Sequence, residues 1–178
     1  PRFERVEVAE LFQATIESAR LRAAQRQVAL IRDLTPASAL TADSVLLQRL
    51  LANLVSNAID ACRPGDQITL HCSQPKPGWV RLEVRDTGCG MTPDELAHIM
   101  EPYFTTKRFG DEVRGFGLGL TVCEKIVNLH QGTLTVESTH GKGTTVIVEL
   151  PVAPSAYASS PARAVSAAAS EMVPEPSP

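Results

Sequence analysis

Residues 50–62 read LLANLVSNAIDAC. Together with Leu47, the positions Leu50, Leu51, Leu54, Val55, Ala58 and Ile59 recur at close to the 3.6-residue period, so the stretch is a helix buried over most of its surface. Asn53 and Asn57 stand one turn apart on it, and Asp60 follows three residues on, so three polar groups share a face. Two readings are open at this point. Each amide can satisfy a neighbouring backbone group, as most buried polar side chains do. Alternatively, two carbonyl oxygens beside a carboxylate suit a hard cation such as Mg²⁺, which takes few protein ligands and fills its shell with water and phosphate oxygens.

Working outward, Asp43 is placed to cap this helix. Upstream, VEVAELFQATIESARLRAAQRQ has helical periodicity and VALIRDL reads as a short strand. Downstream, DQITLHCS and WVRLEVRD alternate as strands do, and PKPG between them makes a hairpin turn. MTPDELAHIM is a short helix entered through Thr92 and Pro93. An irregular stretch runs to about residue 115, followed by a helix over GLGLTVCEKIVNLH that ends at Gly132. TLTVEST and TTVIVEL then form two strands joined by HGKG. The pattern predicts an α+β domain, a two-layer sandwich whose mixed sheet of about five strands carries helices on one face. From Pro151 the chain turns to Ala, Ser and Pro, with too little large apolar surface to offset the entropy of ordering. The expected division is a domain over 1–152 and a flexible tail over 153–178, in which a docked helix around 162–172 is the alternative.

Composition narrows the function classes. The chain has 178 residues, 43% of them hydrophobic and 21% charged, which suits one soluble globular domain. A net charge of −3 offers no general attraction to nucleic acid or anionic membrane. No apolar run is long enough to span a bilayer, and PRFERVEVAE lacks a signal-peptide core. The four cysteines, Cys62, Cys72, Cys89 and Cys123, lack CxxC spacing and read as reduced thiols rather than a zinc site or disulfide framework.

Glycines cluster in two places. DTGCG follows a strand, so Gly88 and Gly90 permit a sharp turn and let a flat ligand approach the backbone, with Asp86 as a carboxylate acceptor. A plain strand-to-loop turn capped by Asp86 is the competing reading. GFGLGL places Gly115, Gly117 and Gly119 at the start of a helix, where unpaired N–H groups and the helix dipole favour phosphate; close helix packing is the alternative.

The order NLVSNAIDA, DTGCGM, EPYFTTK, GFGLGL and GKGTTVIVELP resembles the catalytic ATP-binding domain of bacterial sensor histidine kinases, in particular the nitrogen-regulation, dicarboxylate-sensing and oxygen-sensing groups. The resemblance covers residues 1–152. It implies a Bergerat-type fold of the wider GHKL superfamily, ATP and Mg²⁺ as ligands, and a mobile lid over residues 101–116. It also implies roles. Asn57 would bind the Mg²⁺ on the ATP phosphates, with Asn53 as a second contact. Asp86 would accept the adenine amino group, Gly88 and Gly90 would allow close approach, and Thr144 would join a water network there. Gly115, Gly117, Leu118 and Gly119 would form the phosphate-side loop, Lys107 would meet the terminal phosphate, and Phe104 would pack in the lid.

Two departures qualify the resemblance. Many relatives carry Lys or Arg where this chain has Asp60, and a carboxylate there would repel phosphate, so Asp60 is given no binding role. Hydrolytic relatives carry a Glu as general base where this chain has Asn53, and an amide cannot accept water's proton. That favours transfer to an intrinsically nucleophilic imidazole. None of His71, His98, His130 and His140 stands in an HExxxP-like context, and each reads as an ordinary surface or helix-end histidine. The expectation is therefore a cytoplasmic fragment, or the cytoplasmic part of a membrane-anchored sensor. Its substrate would be a histidine on its own upstream dimerisation and phosphoacceptor domain, in a homodimer that serves a response regulator and binds no nucleic acid. The alternatives are a hydrolytic ATPase of the superfamily and a nucleotide-binding module without kinase activity.

Overall fold

The computed structural model describes residues 1–34, 39–101, 108–109, 112–113 and 119–154. In chain order the elements are β1 (Glu4–Glu7), α1 (Val8–Gln25), β2 (Ala29–Leu34), β3 (Ala39–Ala42), α2 (Ser44–Ala61), β4 (Gln67–Ser73), β5 (Trp79–Asp86) and α3 (Pro93–His98). Then come β6 (Arg108–Phe109), β7 (Glu112–Val113), α4 (Gly119–Leu129), β8 (Thr133–Thr139) and β9 (Gly143–Pro151).

Five strands form one mixed sheet in the order β2-β4-β5-β9-β8. β2 and β4 run parallel, as a crossover through α2 requires, and the other neighbours are antiparallel. Alternation sorts the two sheet faces. Ile68, Leu70 and Cys72 of β4, Val80, Leu82 and Val84 of β5, and Val148 and Leu150 of β9 are buried with Leu47, Leu50, Leu51, Leu54 and Ile59 of α2 in one core. α1 and α4 flank α2, which gives the two-layer α+β sandwich expected from the sequence. The opposite face is polar. There Arg81 pairs with Glu149 at 2.7 Å and His71 with Asp33 at 2.8 Å, while Arg81 and Arg85 cover Glu83 so well that it is 4% exposed.

Caps follow the sequence signals. Asp43 accepts from Leu46 N at 3.0 Å at the start of α2, and Thr92 with Glu95 forms a reciprocal capping box on α3 behind Pro93. At the end of α4 the left-handed residue is Gln131 (φ 60°), whereas Gly132 is required for closeness: a Cβ there would lie 2.4 Å from Glu149 O.

Three expectations need correction. Helix α1 begins at Val8 rather than Val6, because Glu4–Glu7 pairs antiparallel with Ala39–Ala42 in a separate two-stranded sheet that local periodicity could not reveal. The stretch read as irregular up to residue 115 contains the antiparallel pair β6–β7. His130 does end a helix but is 1% exposed: its Nδ1 donates to Ile126 O at 2.7 Å and its Nε2 accepts from Asp43 N at 3.0 Å. The lid expected over 101–116 otherwise lies outside the described residues, as does the tail from residue 155 onward. The described body closes at Val152, whose N–H donates to Gly78 O at 2.8 Å and whose carbonyl accepts from Thr41 N at 2.7 Å.

Candidate nucleotide site

One wall of the site is backbone. Asp86 ends β5 opposite Thr144 of β9, and its Oδ1 accepts both Gly88 N at 2.9 Å and Thr144 N at 3.3 Å. Both bonds hold the same oxygen, so Oδ2 is oriented while accepting no hydrogen bond among the described residues. Partial burial raises the Asp86 pKa above the ordinary carboxylate value, and the two N–H donors oppose that rise.

The following loop is laced to its surroundings. Cys89 N donates to Ala61 O at the end of α2 at 3.0 Å, and Cys89 O accepts from Gly141 N at 2.7 Å. A Cβ on Gly88 would sit 2.5 Å from Ala61 O, and one on Gly90 would sit 2.0 Å from Thr139 O. Gly90 also has φ +61°, so its lack of a side chain is required twice. Ser138 was missed by the sequence reading. Its hydroxyl accepts from Met91 N at 2.9 Å, donates to Gly143 O at 3.1 Å and lies 2.8 Å from Thr144 Oγ1. With Ser138's one proton spent on Gly143, Thr144 is the donor of that pair. The signal lay in the pairing of Ser138 with Thr144 across the β8–β9 hairpin, which needs the strand register to be known.

The second wall is made of side chains. On α2, Asn57 lies beside the first residue of α4: a Cβ on Gly119 would stand 3.5 Å from Asn57 Nδ2 and 3.7 Å from Oδ1. Asn53, one turn earlier, lies beside Cys123 on α4, whose thiol donates to Leu50 O at 3.8 Å and whose pKa burial pushes up to about 12, with Asn53 pulling it back. Asp60 points toward α1, where Arg22 binds it; the same guanidinium holds Ser56. The structure thus brings Asn57 and Gly119 together, and Asp86, Gly88, Gly90 and Thr144 together, joined through Ala61 and Cys89. Lys107, Gly115, Gly117, Leu118 and Phe104 lie outside the described residues.

Among the described residues no group of three or more His, Cys, Asp or Glu could hold a metal. What α2 offers instead is the amide oxygens of Asn57 and Asn53, a donor type that fits a hard cation arriving already bound to phosphate. No described helix is long and apolar enough to cross a membrane.

Residues 42–154 match the family model described as histidine kinase-, DNA gyrase B- and HSP90-like ATPase. Sporulation kinase E of Bacillus subtilis (strain 168) is 35% identical over 154 residues, 84% of this chain and 20% of that protein. The sensor histidine kinase ZraS of Klebsiella oxytoca is 35% identical over 152 residues, 85% of this chain and 32% of that protein. The chain therefore spans a third or less of the length of these curated relatives. Full-length ShkA, solved in complex with AMPPNP, superposes with a TM-score of 0.76 at 27% identity, covering 87% of this chain and 32% of that one. The chain belongs to the histidine kinase-, DNA gyrase B- and HSP90-like ATPase family, as the catalytic domain found in sensor histidine kinases.

Proposed function

We propose that this domain, residues 1–152, binds Mg²⁺-ATP between the two walls and transfers the γ-phosphoryl group to a histidine of an upstream dimerisation domain. In this reading Asp86 Oδ2 accepts the adenine amino group, with Gly88, Gly90 and the Ser138–Thr144 pair shaping the base pocket. Asn57, seconded by Asn53, holds the cation, which neutralises phosphate charge. Gly115, Gly117, Leu118 and Gly119 receive the phosphates, and Lys107 follows the terminal phosphoryl as it leaves. The remaining residues, 153–178, are assigned no part in the chemistry.

One observation carries the choice of transfer over hydrolysis. The only carboxylate on α2, Asp60, is tied to Arg22, and the residue one turn before Asn57 is the amide Asn53. Neither is set to take a proton from water, so the acceptor must bring its own lone pair, as neutral imidazole does. Three of the chain's own histidines are committed elsewhere and the fourth lies off α2: His71 pairs with Asp33, His98 with Glu101, His130 is enclosed, and His140 sits in the β8–β9 turn. The acceptor is then on another domain, in a homodimeric cytoplasmic kinase that hands the phosphoryl group to a response regulator.

The test supplies a phosphoacceptor domain together with γ-labelled ATP. Acid-labile, base-stable label on that domain, lost in Asn57→Ala and in Lys107→Ala, is the expected result. Lys107→Ala should lower transfer far more than ADP binding, since ADP lacks the terminal phosphate. Steady ADP release without an acceptor would identify a hydrolytic ATPase, and nucleotide binding with no transfer would identify a sensing module.

A further inference from the structure

Arg22 sits in the last turns of α1, a helix without an assigned part in the site, yet its guanidinium reaches across to α2. There one nitrogen donates to Ser56 Oγ and the other terminal nitrogen to Asp60 Oδ1. These two acceptors bracket Asn57: Ser56 directly precedes it and Asp60 lies three residues on, one turn along the same helix. Exposure is divided unequally within the pair. The Asp60 side chain is 18% exposed and that of Arg22 45%, so the pair presents the guanidinium to solvent and covers the carboxylate.

We infer that Arg22 is a phosphate contact, delivered from α1 to the stretch of α2 that carries Asn57, and that Asp60 and Ser56 are the residues that position it. A guanidinium carries five N–H donors in a fixed plane, and two anchoring bonds leave three for a ligand. Its fork matches phosphate oxygens, and its charge is permanent. Asp60 alone would repel a nucleotide; bonded to Arg22 its charge is offset and it fixes the direction of the fork. A purely structural role, fastening α1 to α2, is the competing account, and an exposed ion pair contributes little by fastening alone.

This inference rests on the reading of Asn57 as the metal and phosphate contact, and the experiment separates the two. Titration calorimetry on the chain compares Mg²⁺-ATP with adenosine, which shares the base but carries no phosphate. Arg22→Gln should weaken ATP about tenfold, the size of one charge-assisted hydrogen bond, and leave adenosine unchanged. Arg22→Lys, which keeps the charge without the fork, should fall between the parent and the Gln variant, and it serves alone if the Gln variant does not fold. The exchanged pair Arg22→Asp/Asp60→Arg should recover ATP affinity to within about threefold of the parent, since the guanidinium then stands on α2. Unchanged ATP affinity in Arg22→Gln, or equal losses for ATP and adenosine, would overturn the inference while leaving the Asn57 reading intact. An Asn57→Ala variant that still binds Mg²⁺-ATP normally would overturn that reading itself.

Discussion

The two walls of the site are built by different means. The β5-end wall is backbone held by backbone: Asp86 is clamped by two N–H groups, and the Gly88–Gly90 loop is bonded to Ala61 on one side and to the β8–β9 turn on the other. The α2 wall is made by side chains, with Asn57 facing Gly119 and with Asp60 and Ser56 on Arg22. The first arrangement fixes the shape that a planar base must fit. On the proposed function, the second supplies the side chains that would follow a metal and phosphates as charge moves.

If the first wall is rigid because backbone meets backbone there, adding one methyl group should cost most at its closest contacts. Gly90→Ala and Gly143→Ala each place Cβ 2.0 Å from a carbonyl oxygen, Thr139 O and Asp86 O respectively, at φ +61° and +109°. Gly141→Ala, at φ +77° with nothing within 4 Å, meets only the conformational cost. Thermal unfolding should show Gly141→Ala losing about 1 kcal/mol, and Gly90→Ala or Gly143→Ala about 3 kcal/mol or more, with adenosine binding lost. Equal losses at all three positions would mean the loop relaxes freely, and the contrast between the walls would fail.

Asp86→Asn tests the same wall through chemistry rather than shape. Both backbone N–H donors end on Oδ1, so the amide oxygen will take that place and turn the NH₂ group to the position of Oδ2. The fold keeps its bonds while a donor now faces the adenine amino group, itself a donor. Adenosine affinity should fall by about a hundredfold, because the charged acceptor is lost and a donor is also set against a donor, with no loss of melting temperature. A lower melting temperature with adenosine affinity intact would make Asp86 a loop support and no more.

How legible each wall was in the sequence follows from how it is built. DTGCG and HGKG announce themselves because glycine takes positive φ without strain and lets backbone come within contact, so Gly90 and Gly143 leave a local trace of a tertiary approach. The buried stripe of α2 and its Asp43 cap were equally local, and both stand where the period placed them. Arg22 could not be found that way. It lies 38 residues before Asp60, in a helix whose pattern gives no reason to single it out. Ser138 needed the strand register, and β1 needed its partner β3 from beyond an intervening helix and strand. The sequence-level puzzle of an acidic residue at position 60 is resolved only by knowing which way α1 lies.

The smallest effect expected near neutrality is a pH dependence, and it opposes binding to stability at one carboxylate. Burial raises the pKa of Asp86 above 3.8, with Gly88 N and Thr144 N pulling it back. On the proposed function adenine's amino group needs the ionised form, so adenosine affinity should be flat at neutral pH and fall as pH drops through this raised value. That loss begins at a higher pH than for an exposed aspartate, and well below the pKa each further unit costs about tenfold. The stability contribution has the other sign: a carboxylate whose folded pKa is raised adds stability that is full below its unfolded pKa and is lost as pH rises through the folded one. Asp43 runs the opposite way, because Leu46 N and Arg2 N lower its pKa, and its contribution disappears as pH falls. Comparing the parent with Asp86→Asn across pH isolates the first term from the second: the difference in unfolding free energy should move in favour of the parent as pH falls, while the difference in adenosine affinity shrinks. If the two differences move together, the carboxylate that shapes the loop and the carboxylate that reads the base are not the same charge.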